Sequence, residues 1–585
     1  MNKPSNYILG SIILIFLGLS CSTPTETEST VTPAENAITT VCNPLNISCR
    51  FALDSPSRRE AADPSVIAYK DQYLLFASKS GGYWSSADLI EWNFIQTDEI
   101  PTEEYAPTAI VISDTVYFLA SSNEKSTIYK SADPLSGHWQ VAREELAQPV
   151  WDPAFFMDDD QRLYLYWGCS NVNPLYGVEI DYKNNFDFIG SPKELMHPAP
   201  AQYGWEVPGD YNTNKSTAPW IEGAWVNKYD GKYYLQYAGP GTEYKSYADA
   251  VYTGEGPLGP FELASHNPFS YKPEGFANGA GHGSTFQDKY GNYWHMATAS
   301  ISVKQMFERR LVLYPTFFDK EGVLHSITKF GDYPMIMPDE KINGFDDYFA
   351  GWMLLSYNKK VTSSSVLDSF PASNMVDEDI RTYWSAASGK SNEWATVDLG
   401  SSKHVHAIQV NFAEHNTAVF GRKDSLAYEY IIEISNDDEN WEMLVDRSQN
   451  NKDRSHDYIQ LPEEVMAQFI RIRNMRVSSG NFALSGLRVF GKGDGAVPEK
   501  VEGLAVQRNS DDKREVSLKW NASDDAMGYN IAYGTSADKL YHNYKVYDVE
   551  SVQINSLDVN QKYYFNIQAF NENGIGSLAE VQVAE

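Results

Sequence analysis

Turns followed by strands rich in tyrosine and leucine recur five times in the first two-thirds of the chain. The strands read DQYLLFA, DTVYFLA, DQRLYLYW, DGKYYLQY and YGNYWHMA, and β-branched, aromatic and aliphatic residues of this kind are typical of β-strands. The turns open at Asp71, Asp114, Asp160, Asp230 and Tyr290. The first two distances in sequence between successive turns match the length of one four-stranded propeller blade. The pattern therefore predicts an all-β fold that begins with a five-bladed β-propeller.

Functional residue types stand eight places before four of the five turns. The positions are Asp63, Ala106, Asp152, Glu222 and His282. In a propeller the first strand of every blade lies along the central channel, so equivalent positions in the blades face one axial cavity. We therefore expect the three acids and the histidine to converge in one funnel.

The periodicity changes near residue 344, so the propeller is predicted over residues 41–344. Residues 345–492 resemble a discoidin-like (F5/8 type C) module in the segments VTSSSVLDSFPASNMVDEDIRTYWSAASGK and FIRIRNMRVSSGNFALSGLRVFG. The resemblance implies a β-sandwich jelly roll, a type of module that often binds sugars through loops at one end. It also implies that Asp377 is a ligand of a structural calcium ion, although Glu378 replaces the family's glycine.

The last segment, residues 497–585, carries VSLKWNAS, GYNIAYGTS and KYYFNIQAFNENGIGS. These strings resemble a fibronectin type III domain, which is a second kind of β-sandwich. The resemblance implies a spacer or docking unit. No sequence feature of this segment indicates a catalytic role.

The N-terminus has the pattern of an export signal. Lys3 precedes an apolar stretch from Tyr7 to Leu19, which is short for a transmembrane helix. The string LGLSC resembles a bacterial lipoprotein box, so residues 1–20 are the predicted signal peptide and Cys21 the lipidated residue; an ordinary signal followed by a chance cysteine is the alternative. Residues 21–40 are rich in Ser, Thr, Pro and Glu, which predicts a disordered tether. We expect a bacterial lipoprotein at the outer-membrane surface or in the periplasm, in contact with the membrane only through its lipid.

Composition excludes two classes of function. The net charge of −31 repels phosphate backbones and argues against a nucleic-acid partner. The cysteines of the mature chain, Cys42, Cys49 and Cys169, form no CxxC pair, which argues against a cysteine-ligated zinc site. Cys42 and Cys49 fit either a small disulfide loop or two thiols, and the sequence does not decide between them.

The three acids fit the chemistry of glycoside hydrolysis with inversion. One carboxylic acid protonates the leaving oxygen, one carboxylate activates water, and a third acid can raise the pKa of the first. ADPSV around Asp63, VWDPAFF around Asp152 and IEGAWV around Glu222 resemble glycoside hydrolase family 43, whose members are five-bladed propellers. The resemblance implies that Asp63 is the general base, Asp152 the pKa modulator and Glu222 the general acid.

The same resemblance implies further site residues. His282, in NGAGHGSTF, resembles the family's axial histidine, which lies under the sugar and often meets calcium through water. Arg309, in FERRLVLYP, matches an arginine that contacts sugar hydroxyls or the carboxylate of Asp152, with Arg310 as the rival. Trp84 and Trp151 are candidates for stacking on a sugar ring, although tryptophans also pack between blades.

The long segment from Val178 to Tyr211 joins the third and fourth repeats, and long loops on the funnel face commonly shape the site. We expect it to close the site into a pocket and make the enzyme exo-acting. The expected substrate is a plant or algal polysaccharide or oligosaccharide from which terminal or side-chain pentoses are removed. A β-D-xylosidase is favoured over an α-L-arabinofuranosidase or an enzyme active on galactan or galactofuranosides. No cofactor is required for this chemistry.

Two rival functions remain open at this point. One is a catalytically silent propeller that only binds carbohydrate, against which the retention of all three acids argues. The other is a retaining enzyme of the related invertase-like group. A separation of roughly 6.5–9.5 Å between the carboxyls of Asp63 and Glu222 predicts inversion, and about 5–5.5 Å predicts retention.

Overall fold

The computed structural model describes residues 38–421 and 427–584. The predicted signal peptide, the lipidation at Cys21 and the tether up to residue 37 lie outside the described residues. Within them, α-helix is confined to α1 (Phe345–Tyr348) and the remaining helical turns are the short 3-10 segments Pro134–Ser136, Gly204–Glu206 and Ala372–Met375. The prediction of an all-β protein is confirmed.

None of the helices in the described part of the chain has the length and apolar composition needed to cross a membrane.

A ring of five four-stranded antiparallel sheets follows a short N-terminal strand, β1 (Thr40–Val41). The first two sheets are β2 (Ser65–Tyr69), β3 (Gln72–Phe76), β4 (Gly82–Ser86), β5 (Asn93–Gln96) and β6 (Thr108–Ile112), β7 (Thr115–Leu119), β8 (Ile128–Ser131), β9 (Gln140–Arg143). The third is β10 (Ala154–Met157), β11 (Leu163–Trp167), β12 (Leu175–Asp181), β13 (Asp187–Met196). The last two are β14 (Glu222–Tyr229), β15 (Lys232–Gly239), β16 (Ala248–Gly254), β17 (Phe261–Leu263) and β18 (Gly281–Gln287), β19 (Tyr293–Ser300), β20 (Arg309–Phe318), β21 (Leu324–Ser326).

The first strands of the sheets contact one another around the ring, and β18 of the fifth sheet contacts β2 of the first. This closed arrangement is a five-bladed propeller in which each blade is built from four consecutive strands. The Tyr- and Leu-rich repeats of the sequence are the second strands. The residues eight places before the turns therefore lie where the chain enters each first strand, at the propeller axis.

The ring closes between its first and fifth blades through apolar packing. Trp84 and Leu75 of the first blade share a buried cluster with Trp294, Met296 and Leu313 of the fifth. A two-stranded pairing of β1 with β22 (Met335–Ile336) lies beside this closure. The structure has no disulfide between Cys42 and Cys49, and the Cys42 thiol instead donates to the carbonyl of Asp332 at 3.4 Å.

An antiparallel β-sandwich follows the propeller. Its strands are β23 (Met353–Leu354), β24 (Lys360–Ser363), β25 (Trp384–Ser385), β26 (Trp394–Phe412), β27 (Glu429–Ser435), β28 (Glu442–Arg447), β29 (His456–Arg476) and β30 (Ala483–Lys492). Register shifts interrupt the pairing of β26 and β29 between Asp398 and Lys403, and such irregularities let long strands bend from one layer of a sandwich into the other.

A second, smaller sandwich ends the described chain. One sheet contains β31 (Ala505–Arg508), β32 (Val516–Lys519) and β35 (Ser551–Ile554). The other contains β33 (Gly528–Gly534), β34 (His542–Tyr547), β36 (Tyr563–Asn571), β37 (Gly574–Ile575) and β38 (Gln582–Ala584). Its relation to fibronectin type III domains stays a prediction.

The propeller and both sandwiches meet at a buried cluster of charges. Asp332 of the propeller lies 2.6 Å from the Lys545 ammonium of the last sandwich and 3.4 Å from that of Lys272. Arg488 of the first sandwich pairs with Glu378 at 2.8 Å and lies 4.0 Å from Asp332. All five side chains are almost completely buried, so the three parts share one desolvated interface.

Candidate active site

A cavity of about 330 Å³ opens at the propeller axis. It is lined by Asp63, Asp152, Glu222, His282 and Arg309, together with Trp151, Tyr105 and Trp220. The structure thus brings together the three predicted acids, the predicted histidine and the predicted arginine. The volume lies at the lower end of the range typical of small-molecule sites.

An unusual backbone conformation aims these side chains at the axis. Four of the five equivalent positions have a left-handed φ: Asp63 at 53°, Ala106 at 43°, Asp152 at 49° and His282 at 48°. In the fourth blade the adjacent Gly223 takes this conformation instead, at 63°. Left-handed φ is uncommon for residues other than glycine and often marks a functional constraint. The repeated kink turns the chain into each first strand and leaves the side chain in the cavity.

Asp63 is held by three hydrogen bonds, two that its carboxylate accepts and one that its backbone donates. The Ser78 hydroxyl donates to its Oδ2 at 2.5 Å, and Arg309 donates to its Oδ1 at 3.0 Å. The backbone N–H of Asp63 donates to the Thr298 hydroxyl. These contacts fix the orientation of the carboxylate that the sequence predicts to activate water.

The predicted contact of Arg309 with Asp152 is wrong. Its guanidinium pairs with Asp63 and, through its other terminal nitrogen, with Glu60 at 3.0 Å. The reason is that Arg309 belongs to the fifth blade, whose first strand, β18, contacts β2 of the first blade. The rival Arg310 faces the first sandwich and donates to His456 at 3.1 Å.

Asp152 and Glu222 form a coupled pair whose closest oxygens lie within 4.8 Å of each other. Burial, together with the charges of Glu222 and Asp63, raises the pKa of Asp152 to about 7. Burial also acts to raise the pKa of Glu222, but the charged His282 and the hydrogen bonds from Tyr247 and Cys169 outweigh it and lower that pKa. The pKa of Asp152 thus lies above that of Glu222, so Asp152 is the first of the two carboxyls to take up a proton as the pH falls.

This order of protonation differs from the prediction that Asp152 keeps Glu222 protonated. The Tyr247 hydroxyl donates to Oε1 of Glu222 and the Cys169 thiol donates to Oε2 at 3.1 Å. Hydrogen bonds to a carboxylate favour its charged form. The sequence could not predict these donors, because both lie in loops that the fold brings to Glu222.

His282 lies among the three carboxylates. Its Nδ1 is 3.4 Å from Asp63, 3.8 Å from Asp152 and 3.9 Å from Glu222. Burial lowers the pKa of His282, but the carboxylate charges outweigh it and raise that pKa to about 10. His282 is therefore an imidazolium that supplies positive charge under the site. A protonated histidine offers no lone pair toward the carboxylates. The water-mediated contact of His282 with calcium stays a prediction.

Asp377, the other predicted calcium ligand, lies at an exposed turn of the first sandwich. Its Oδ2 accepts from the Thr382 hydroxyl at 2.6 Å and its Oδ1 from the backbone N–H of Asp379 at 3.0 Å. Glu378 takes the left-handed φ of 61°, which explains why the family's glycine would suit that position. The calcium role of Asp377 stays a prediction.

The prediction that Trp84 binds substrate is wrong. Trp84 lies in a third strand, is fully buried, and packs edge-on against Phe94 at 5.4 Å in the cluster that closes the ring. Trp151, by contrast, lines the cavity and donates from its indole to Asn123 at 3.2 Å. Only one of the two predicted stacking tryptophans therefore reaches the site.

Sequence reasoning missed four residues that donate hydrogen bonds to the three acids, Ser78, Ser121, Cys169 and Tyr247, and it missed Trp220, which lines the cavity. Two of them carried a signal in the repeats. The strings Phe76-Ala77-Ser78 and Leu119-Ala120-Ser121 end equivalent second strands, and each serine donates to an acid at the axis, Ser121 to Asp152 at 3.2 Å. An alignment of the repeats that continued past the ends of their second strands would have found both serines.

Three carboxylates that converge on an imidazolium at the axis of a five-bladed propeller define a glycosidase type of active site. Residues 57–324 match the family model described as glycosyl hydrolases family 43, and residues 360–486 match the F5/8 type C domain. The chain therefore carries a family 43 glycosidase domain followed by an F5/8 type C domain.

A curated beta-xylosidase of Xylanibacter ruminicola is 26% identical over 152 residues, which are 22% of this chain and 41% of that protein. The chain thus spans less than half the length of this relative. A solved glycoside hydrolase is 19% identical, with 75% of this chain and 99% of the other covered at a TM-score of 0.44. A GH43 protein of Bacillus licheniformis is 14% identical, with 93% and 98% covered at a TM-score of 0.40.

Proposed function

We propose that the protein is an exo-acting glycoside hydrolase that removes terminal or side-chain pentoses from a polysaccharide with inversion of configuration. The observation that carries this proposal is the convergence of Asp63, Asp152 and Glu222 in one axial cavity of a family 43 domain. A cavity of about 330 Å³ suits one or two sugar rings, which supports exo action.

Asp63 is the general base in this proposal. Ser78 and Arg309 hold its two oxygens by one hydrogen bond each, and an ionised carboxylate has further lone pairs that can accept a proton from water. One oxygen of Asp63 lies 3.4 Å and one oxygen of Glu222 lies 3.9 Å from His282 Nδ1. These distances allow both the inverting and the retaining separation, so inversion is proposed from the family resemblance.

Glu222 is the general acid, and it receives its proton within the Asp152 pair. Because the charge of Glu222 raises the pKa of Asp152, the first proton that the two carboxyls take up belongs to the pair rather than to either residue alone. A glycosidic oxygen that accepts a hydrogen bond from Glu222 favours the form in which that proton lies on Glu222. The pKa of about 7 at Asp152 keeps the shared proton available near neutral pH.

Among pentosides we favour β-D-xylosides. The local similarity to a beta-xylosidase supports this choice, and α-L-arabinofuranosides, galactan and galactofuranosides are the alternatives. The first experiment compares an aryl β-D-xyloside with an aryl α-L-arabinofuranoside, using the wild-type protein and Asp63→Asn. Release from one substrate, lost in the variant, identifies the sugar and the site. Release of neither overturns the choice of a xyloside or an arabinofuranoside and favours another sugar or a propeller that only binds carbohydrate.

The role of Glu222 is tested by the dependence on the leaving group. Glu222→Gln should lose about 100-fold or more on aryl glycosides with poor leaving groups and much less on activated ones, because protonation then matters less. Equal losses on both substrates would exclude Glu222 as the acid.

Inversion is tested by following the anomeric protons of the first product by NMR during turnover. An inverting enzyme releases the opposite anomer before mutarotation, whereas a retaining enzyme releases the same anomer. The second outcome would make one of the carboxylates a nucleophile.

We also propose export and lipidation at Cys21. The apolar N-terminal stretch and the LGLSC string support this proposal. Metabolic labelling with a fatty acid should mark the wild-type protein in its host and leave Cys21→Ser unlabelled. Labelling of both proteins would contradict lipidation at this residue.

A further inference from the structure

Two loops of the propeller form one side of the catalytic cavity. Residues 240–247 connect β15 to β16 and place Gly241, Thr242 and Glu243 on the cavity wall. Residues 197–221 connect β13 to β14 and end in Trp220, which lines the same wall just before Glu222.

The two loops are bonded to each other. The backbone N–H of Trp220 donates to the carbonyl of Pro240 at 2.8 Å, and that of Lys245 donates to Oδ1 of Asp210 at 2.9 Å. A shift of one loop therefore moves the other.

The inner end of the 240–247 loop is anchored to the propeller. The Thr242 hydroxyl accepts from Arg309 at 3.0 Å, and the Thr242 carbonyl accepts from the Ser300 hydroxyl at 2.6 Å. Its outer end is held by a different domain.

That second anchor is Arg381 of the F5/8 type C domain. One terminal nitrogen of its guanidinium donates to Oδ2 of Asp210 at 2.8 Å, and the other donates to the carbonyl of Glu243 at 3.0 Å. Beside it, the Lys245 ammonium lies 3.0 Å from Asp379 of the same domain. One planar guanidinium thus joins both cavity loops, which a fork of fixed geometry does better than a single ammonium.

The last sandwich holds the longer loop from its other side. The N–H of Gly204 donates to the carbonyl of Leu557 at 2.9 Å, and the N–H of Val559 donates to the carbonyl of Gln202 at 3.1 Å. The approach is so close that a Cβ at Gly204 would lie 2.2 Å from the carbonyl oxygen of Asn555.

We propose that Arg381 is a positioning residue that sets the shape of the sugar-binding cavity from outside the propeller. It does so by joining the loop of Asp210 to the loop of Glu243, so that Trp220 and Glu243 stand at fixed distances from Glu222. The expected effect of Arg381 on turnover rests on the proposed glycosidase function. The expected effect of Arg381 on the two loops rests only on the contacts between the domains.

The first test is kinetic. Arg381→Met should raise KM for the aryl glycoside about tenfold while kcat changes less than about threefold, because binding is lost and the catalytic acids are untouched. Arg381→Lys can reach one partner at a time and should fall between Met and wild type. The matched control is Arg473→Met, which removes an arginine of the same domain that pairs with Glu433 at 2.8 Å. The control should leave KM unchanged.

The second test is amide hydrogen exchange, which needs no substrate. In Arg381→Met, exchange should become faster in residues 199–215 and 240–247, while β26 and β29 keep the wild-type rate. Unchanged exchange in both loops overturns the proposal, as does faster exchange throughout the F5/8 type C domain. If the wild-type protein hydrolyses no glycoside, the proposed function fails and the exchange result still decides the role of Arg381.

Discussion

At the scale of single residues, the different surroundings of Glu222 and Asp152 decide which of the two carboxyls takes up a proton first. Glu222 accepts hydrogen bonds on both oxygens, from Tyr247 and from Cys169. Asp152 accepts one from Ser121, and burial together with the charges of Glu222 and Asp63 raises its pKa against the opposing effect of His282. Two carboxyls in one cavity thus differ in proton affinity because of their neighbours.

Removing one donor should shift that balance. Tyr247→Phe takes a hydrogen bond from the charged form of Glu222, so the pKa of Glu222 should rise and Glu222 should stay protonated to higher pH. The alkaline limb of the pH profile of kcat/KM should therefore move upward by about half a pH unit or more. Tyr234→Phe is the control, since its hydroxyl donates to the Gly322 carbonyl, far from the acids. A downward shift in Tyr247→Phe would contradict this account.

The sequence predicted the acids but not their protonation. Asp63, Asp152, Glu222 and His282 share one offset from a recognisable turn, so a one-dimensional pattern was enough to group them. Tyr247 lies in a loop before a third strand, where the repeats differ in length and no offset is kept. Its effect on Glu222 depends on a distance between strands that only the fold supplies.

At the scale of elements, the blades differ in how clearly their strands are marked in the sequence. Second strands are buried along nearly their whole length, as in β11, so their apolar runs stand out. Outer strands are mostly exposed, as in β13. The prediction of a long loop from Val178 to Tyr211 is therefore wrong in its first part, which belongs to the hairpin of β12 and β13. The loop that connects the third blade to the fourth is formed by residues 197–221.

Trp84 provides a test of the closure between the first and fifth blades. Trp84→Ala should reduce the free energy of unfolding by about 3–5 kcal/mol, since it leaves a cavity in a closed apolar cluster. KM of the folded variant should stay within about twofold of wild type. Trp151→Ala is the matched comparison, with the opposite result: a raised KM and little change in stability. Thermal unfolding measures the stability of the two variants, and initial rates measure their KM. A raised KM in Trp84→Ala would show that Trp84 affects substrate binding after all.

At the scale of the whole molecule, buried histidines lie where the propeller meets the last sandwich. His266 stacks on His542 at 4.0 Å, and His325 stacks on Tyr541 at 3.8 Å. The Lys539 ammonium pairs with Asp319 at 2.7 Å beside them. Burial lowers the pKa of His325 and of His542 to about 4, and it lowers the pKa of His266 as well.

These shifts predict a loss of stability in mild acid. Between pH 6.5 and about 4 the unfolded histidines bind protons that the folded ones do not, so the free energy of unfolding falls as pH falls through this window. The loss is about 3 kcal/mol for each of His325 and His542. His325→Phe should weaken this pH dependence. Thermal unfolding at a series of pH values measures the difference, and parallel curves for His325→Phe and wild type would contradict the prediction.

The charge cluster around Asp332 limits how the three parts can be inherited. A buried carboxylate that loses its partner costs several kcal/mol, and the ammonium of Lys545, 2.6 Å away, comes from the C-terminal sandwich. A gene rearrangement that replaced this sandwich would have to bring a cation to the same point or change Asp332 at the same time. Lineages that carry Asp332 should therefore inherit the propeller and the sandwiches together. An artificial chimaera that exchanges the last sandwich should also exchange the propeller residues that its cations pair with.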